Sequence, residues 1–362
     1  MSIRPDVSGS FPELSYAQAV RDPEAFVGRL RAALSTVGFF NLVDIDQVLP
    51  RWNEHWRNAF EASQQFFQLP LDTKNEIAMI HSRHFRGYAA CRDEVTAGLP
   101  DWREQIDFGP DAEPVIEYPP SREDRIELSL YGRNLYPETP STFEPAVKAY
   151  RTLCDSIAQK LVRLIGQSLS PEPELFSDLF SSRDDGQSPP YARLKIVQYP
   201  PVQPDEKGFG VGAHRDGGGL TLLAQDDSGG LQVQEWDGTW TDVPPIPYAL
   251  VVNVGQVLEN MSAGVYPATT HRVLKTVKPT PRISIPFFFS PALTARLVPL
   301  EPHQLHDDLR QIVETRKRTE VISEVSKGDL HARVYGISAW KGIKRSHRPV
   351  WEKFYQDHDP EA

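Results

Sequence analysis

The spacing of hydrophobic and polar positions changes character near Pro189-Pro190. Before that point the period is helical. Phe26, Leu30, Ala33 and Leu34 share a face, and Asp22 followed by Pro23 supplies an N-cap and a first-turn proline, which predicts a helix over Asp22 to Leu34. The apolar run Val37-Gly38-Phe39-Phe40-Asn41-Leu42 predicts a short buried strand. A second helix is predicted from Leu49 to Phe67, with Trp52, Trp56, Phe60, Phe66 and Phe67 as a core stripe, and Leu69-Pro70 ends it. The longest helical pattern runs from Phe143 to Leu169. After Pro189-Pro190 the chain becomes short strands between turns: Arg193 to Tyr199, Val211 to Asp216, Leu220 to Gln225 and Leu231 to Trp236 come first. Thr239 to Val243, Ala249 to Val254, Val265 to Thr276 and Arg282 to Ser290 complete the set. Strands this short and evenly spaced predict a sandwich or barrel of jelly-roll type. A charged helix follows around Asp307 to Arg318, then Val334 to Trp340, and the basic stretch Lys341 to Arg348 reads as a solvated tail.

A length of 362 residues admits one enlarged domain or two. The net charge of −10 excludes a whole-chain basic footprint for nucleic acid and disfavours a polybasic membrane contact. Cys91 and Cys154 form neither a CxxC nor a disulfide framework, so a reducing cytoplasm is the expected location. Cys154 falls in the long helical pattern and is expected to be buried; Cys91 either packs or lines a pocket. No apolar signal segment stands at the N-terminus, and no apolar run is long enough to span a bilayer.

Candidate chemistry concentrates in Val211 to Val233. His214 and Asp216 are two residues apart, and on a strand such residues share a face, so an imidazole and a carboxylate converge. A second strand histidine would complete two histidines and one carboxylate, the facial triad of non-haem Fe(II) sites used in O₂ chemistry. On its own, His-X-Asp is more often a chance pair on a surface strand than a pair of ligands. His271 lies four to five short strands later with apolar flanks, whereas His303, His306, His347 and His358 sit in polar terminal context and are expected to be exposed. Arg282 and Ser284 share another strand face, where a guanidinium fork and a hydroxyl suit a buried carboxylate; a structural salt bridge is the alternative for Arg282. Between His84 and Gly109, the run Asp101-Trp102-Arg103-Glu104-Gln105-Ile106-Asp107-Phe108 is either a solvated face or a substrate mouth.

His-X-Asp, a distant strand histidine and Arg-X-Ser, in this order, resemble the Fe(II)- and 2-oxoglutarate-dependent oxygenases, and more closely the isopenicillin N synthase-like group. Gly-Gly-Leu-Gln-Val at 229–233, Asn253-Val254-Gly255, Phe39, Leu69-Pro70 and Arg86-Gly87-Tyr88 add to the likeness, which is strongest from Arg193 to Pro291. The resemblance implies a mainly β protein with helices (α+β): a double-stranded β-helix core with N-terminal and central helices packed against it. Its expected regions are 1–120 (N-terminal), 121–185 (linking loop and long helix), 186–300 (the jelly-roll core) and 301–362 (a C-terminal helical extension). It implies that His214, Asp216 and His271 bind iron, and that Arg282 and Ser284, with Tyr199, hold 2-oxoglutarate. Many members carry asparagine where Val197 stands, two residues before that tyrosine.

The implied reaction consumes O₂ and 2-oxoglutarate, releases succinate and CO₂, and hydroxylates, desaturates or cyclises a small molecule of specialised metabolism. Arg86, Tyr88, Thr96, Arg103 and Phe289 lie in segments that face the iron in relatives; Arg86 and Arg103 would suit a substrate carboxylate, or pair with acids at the mouth. Glu94 to Gly98 and Gln225-Asp226-Asp227 are similar to the ethylene- and succinate-forming branch, but Asp101 to Gln105 looks more like the wider microbial oxygenases. The alternatives are an Fe(II) oxidase that uses no 2-oxoglutarate, a metal-free binding protein, and a nucleic-acid demethylase, the last disfavoured by the acidic balance.

Overall fold

The computed structural model describes residues 11–359 except 97–98, 122–123, 173, 175–177, 181–188, 203–207, 277 and 320–333. Its strands are β1 (Glu13–Ser15), β2 (Phe39–Val43), β3 (Gly87–Ala89), β4 (Val95–Thr96), β5 (Leu99–Pro100), β6 (Glu104–Phe108) and β7 (Arg193–Tyr199). They continue with β8 (Phe209–His214), β9 (Leu220–Gln225), β10 (Leu231–Gln234), β11 (Trp240–Asp242), β12 (Leu250–Val254), β13 (His271–Leu274) and β14 (Arg282–Phe289). An eight-stranded sheet has the order β1-β2-β12-β9-β14-β7-β6-β3, a four-stranded sheet the order β11-β10-β13-β8, and β4 pairs with β5. This is the jelly-roll arrangement that the strand pattern predicts.

Side-chain alternation makes the large sheet a partition. On β14, Ile283, Ile285, Phe287 and Phe289 are buried in a core shared with the helices. On β7, β9 and β12, Leu194, Ile196, Leu220, Leu222, Leu250 and Val252 face the same way. The long helix Phe143–Leu169 and the helices Pro23–Thr36 and Trp52–Phe67 close that core, Asp22 capping the Pro23–Thr36 helix by accepting from the Ala25 amide at 3.2 Å. The opposite face of the sheet meets the small sheet through Val37, Phe39, Val197, Val211, Leu231, Val233 and Val273. It also carries the polar residues at even positions of β14 and odd positions of β7, so the site lies between the sheets, not on the helical side.

Several expectations change. The strand predicted to reach Asp216 ends at His214, because Gly217 to Gly219 turn the chain and the Asp216 carbonyl accepts from the Gln256 amide at 2.8 Å. The helix Gln256–Met261 that supplies this amide was not expected. The charged run at 101–108 is not a solvated face: β6 is buried along its length, and Glu104 pairs with Lys74 at 2.7 Å. Nor is Lys341 to Arg348 a solvated tail. It belongs to the helices Tyr335–Ser346 and Arg348–Phe354, and Asp359 pins it by accepting from Trp340 Nε1, Trp351 Nε1 and Lys344 Nζ at 3.2, 2.9 and 2.8 Å. His347 is consequently buried, while His303 is exposed and His306 and His358 are half-buried. Cys154 is buried as expected and Cys91 half-buried, both free. No helix among the described residues is long and apolar enough to cross a membrane.

His84 gives the fold an acid-sensitive point. Its Nδ1 lies 2.8 Å from the Ser129 carbonyl and Arg83 Nε donates to its Nε2 at 3.3 Å, so the hydrogen bonds hold the neutral ring. Burial lowers its pKa to about 4, helped by Arg86 and Arg83 against the Ser129 bond. The unfolded chain then binds one more proton than the folded chain between an unfolded pKa of about 6.5 and the folded one. Stability is therefore expected to fall as pH drops through that window, this histidine contributing roughly 3 kcal/mol. His84→Gln should flatten that part of the stability–pH curve in denaturant titrations; an unchanged slope would mean that other groups carry it.

Candidate metal and 2-oxoglutarate site

Residue positions in the small sheet bring three potential ligands together. β8 pairs antiparallel with β13, placing His214 opposite His271, and Asp216 lies two residues past the end of β8. Asp216 Oδ1 stands 3.7 Å from His214 Nε2 and 3.6 Å from His271 Nε2, and the three ligand atoms lie within 4.8 Å of one another. A single ion can bridge such a set, and two imidazoles with one carboxylate leave further positions open.

The surroundings aim these atoms. His214 Nδ1 faces the Gly212 carbonyl at 2.9 Å and His271 Nδ1 the Thr269 carbonyl at 3.1 Å, which turns both Nε2 lone pairs inward. Asp216 Oδ2 accepts from Thr221 Oγ1 at 2.6 Å and Asn253 Nδ2 at 2.8 Å, leaving Oδ1 for the ion. Phe39 closes on the His271 ring edge-on, with centroids 5.3 Å apart. Gly255 is required beneath the turn, since a Cβ there would meet the Gly218 carbonyl oxygen at 2.3 Å. Burial, followed by the neighbouring His271, lowers the His214 pKa to about 4, so its ring is a neutral donor at ordinary pH. Burial pushes Asp216 up, but His271, His214, Asn253 and Thr221 together outweigh it and hold the carboxyl below its usual range.

A cavity of about 380 Å³ adjoins these residues, and Arg282, Ser284 and Tyr199 line it. Arg282 is opposite Tyr199 in the β14–β7 register, with its guanidinium 4.9 Å from that ring. Its Nε donates to the Gly229 carbonyl at 2.8 Å and its Nη2 to Gln225 Oε1 at 3.1 Å. The Gly229-Gly230 turn, both residues at positive φ, presents that carbonyl. Arg282 Nη1 is buried with no partner among the described residues. An unpaired buried guanidinium N–H is costly, and a carboxylate placed there would satisfy it. The donor set and this orphan fit Fe(II) and a dicarboxylate co-substrate.

The substrate candidates fare differently. Arg103 lines the cavity but is already paired, at 2.7 Å with Glu94 and 2.8 Å with Asp101. Burial works against its charge, yet Glu94 and the neighbouring acids raise its pKa. Arg86 is not brought to the cavity: it is 1% exposed and donates to the Leu130 carbonyl at 2.6 Å. Tyr88 is also buried away from it, donating to Glu104 at 2.7 Å. Phe289 points into the helical core and stacks on Phe180. Phe288 lines the cavity instead, as the shared parity with Arg282 and Ser284 requires. The side chain of Thr96 and the whole of Ala97-Gly98 lie outside the described residues. Sequence reading missed Thr221, Arg193, Lys195 and the cavity-facing residues of the helix Tyr335–Ser346. Parity with Tyr199 on β7 was a signal for Arg193 and Lys195, whereas nothing local marked the C-terminal helix.

Residues 191–291 match the family model described as the 2OG-Fe(II) oxygenase superfamily, and residues 11–139 match the one described as non-haem dioxygenase in morphine synthesis N-terminal. A 2-oxoglutarate-dependent dioxygenase of Gibberella zeae is 34% identical over 82% of this chain and 80% of its own. A homoarginine-6-hydroxylase of Arabidopsis thaliana is 32% identical over 67% of this chain and 70% of its own. Among solved structures, a 2OG-Fe(II) oxygenase family protein from Caulobacter crescentus is similar with a TM-score of 0.66 and 25% identity, over 86% of this chain and 99% of that one. A full-length Neurospora crassa protein in complex with alpha-KG shares the fold, with a TM-score of 0.65 and 23% identity over 85% and 93% of the two chains.

Proposed function

The chain belongs to the 2OG-Fe(II) oxygenase superfamily and is a 2-oxoglutarate- and Fe(II)-dependent dioxygenase, and from that premise we propose that His214, Asp216 and His271 hold the iron while Arg282, Ser284 and Tyr199 receive the co-substrate. The observation that carries this assignment is the pairing of an inward-facing His-Asp-His set with an orphaned, buried Arg282 Nη1 in one cavity. When bound, iron and 2-oxoglutarate together convert O₂ into an oxidant able to take a hydrogen atom from an unactivated C–H bond, with release of succinate and CO₂.

The chain's own residues supply orientation and exclusion. Asn253 and Thr221 fix the Asp216 carboxylate. The Gly229 carbonyl and Gln225 fix the Arg282 fork and leave its Nη1 as the nitrogen available to the co-substrate. Phe39, Val197, Val211 and Leu231 keep that end of the cavity apolar, which strengthens the ionic contact. Val197 adds no polar hand to the co-substrate, so its far carboxylate depends on Arg282, Ser284 and Tyr199.

The primary substrate is a small molecule, in keeping with the homoarginine named for one group of relatives and with the thymine bound to the Neurospora crassa protein in another solved structure; its setting is specialised metabolism. Anaerobic titration with Fe(II) and then 2-oxoglutarate is expected to give a visible charge-transfer band only when both are present. Iron binding without the band would sink the co-substrate assignment, and no iron binding would sink the triad.

A further inference from the structure

The cavity face of β7 and β14 changes character along its length. Arg282 stands opposite Tyr199, Ser284 opposite Val197, and Phe288 opposite Arg193. From Tyr199 to Arg193 the strand covers about 20 Å, so Arg193 marks the end away from the co-substrate pocket.

Most positive charges along this wall are already matched. Lys195 lies 2.9 Å from Glu94 and 3.3 Å from Asp107, and Arg103 shares Glu94 and reaches Asp101. Arg215 lies 3.8 Å from Glu259. Arg193 differs. Among the described residues its guanidinium has no hydrogen-bond or ion-pair partner; it is held between the rings of Tyr191 and Phe288, 5.7 and 5.3 Å from their centroids. Stacking of this kind fixes the plane of the fork and leaves its N–H edge free. Beside it, Tyr191 is 2% exposed, lines the same cavity, and has a buried hydroxyl with no partner among the described residues. A half-buried cation and a buried phenol, both without a partner among the described residues and both on residues that line one cavity, suit an anion with two oxygens.

We infer that Arg193, with the Tyr191 ring beside it, binds a carboxylate of the primary substrate. The inference rests on the oxygenase assignment above and names the class of substrate: small carboxylic acids, oxidised at a carbon remote from the acid group. It moves the acid-binding role from Arg86 and Arg103, which have partners of their own, to an arginine that has none among the described residues.

The test uses the full chain loaded anaerobically with Fe(II) and 2-oxoglutarate. L-Arginine, L-phenylalanine, hexanoate and benzoate are titrated, each beside its primary amide, and the shift of the visible band gives a Kd for each. At least one acid is expected to bind roughly tenfold to a hundredfold more tightly than its amide, the range of a charge-assisted contact. Arg193→Met should erase that preference, Arg193→Lys should retain part of it, and Tyr191→Phe should weaken it; formation of the band in each variant reports that the site is folded. If no acid outranks its amide in the wild type, or if the preference survives Arg193→Met, the assignment is wrong. A band that never forms in the wild type counts against the iron assignment alone, and the acid–amide comparison is then read by calorimetry.

Discussion

Asp216→Ala is expected to abolish O₂-dependent succinate formation and to remove tight Fe(II) binding, with the fold retained. The carboxylate is the anionic member of the set, and its Oδ1 is the atom nearest both Nε2 atoms. Without it, only the two imidazoles remain, and the set loses one of its three donors and its negative charge. Asn253→Ala provides the scale. It leaves all three ligands in place but frees one oxygen of the carboxylate from a 2.8 Å hydrogen bond. Loss of an outer partner of this kind weakens metal binding or turnover by roughly 10- to 100-fold, and Asp216→Ala should fall well below that level. Equilibrium Fe(II) titration and succinate release measure both. Full activity in Asp216→Ala, or an Asn253→Ala defect as deep, would refute the assignment of the carboxylate.

Arg282→Met should raise the 2-oxoglutarate requirement steeply while Fe(II) affinity stays near the wild-type value. Methionine keeps much of the stem and loses the fork. Removing one member of a buried, hydrogen-bonded charge pair costs about 2–5 kcal/mol, which is roughly thirtyfold to several thousandfold in an equilibrium constant. The pocket offers few substitutes, because Val197 brings no polar atom and two other cations of the cavity wall, Arg103 and Lys195, are committed to Glu94. The dependence of turnover on 2-oxoglutarate concentration reads this directly. An unchanged requirement would mean that the orphaned Nη1 is not the co-substrate's anchor.

These two variants bear on residues that could be named from the chain alone, and the physical reason is strand parity. In His214-Arg215-Asp216 and Arg282-Ile283-Ser284 the partners are two residues apart, and alternation alone puts such pairs on a common side. The same rule extended along β14 gives Pro286 and Phe288 as the next cavity positions and turns Phe289 to the opposite face. Hydrophobic periodicity likewise announced the long helix Phe143–Leu169 and most of the strands, since each is long or regular enough for burial to impose its period.

Partner choice between distant segments was not legible in this way. Arg86, Arg103 and Arg193 look alike in the chain as cations near aromatic residues. Three-dimensional packing gives Arg86 the Leu130 carbonyl, gives Arg103 two carboxylates, and leaves Arg193 facing the cavity between two rings. The basic stretch after Trp340 has no apolar run to announce burial, yet Asp359 and the indoles of Trp340 and Trp351 fold it back over the site. The period, the side and the chemical type of the candidate ligands were written in the chain, because they depend on neighbours one to four residues away. Which charges are cancelled and which remain for a ligand depends on groups that meet across the fold, and the Coulomb and desolvation energies that decide it exist only once the chain has closed around them.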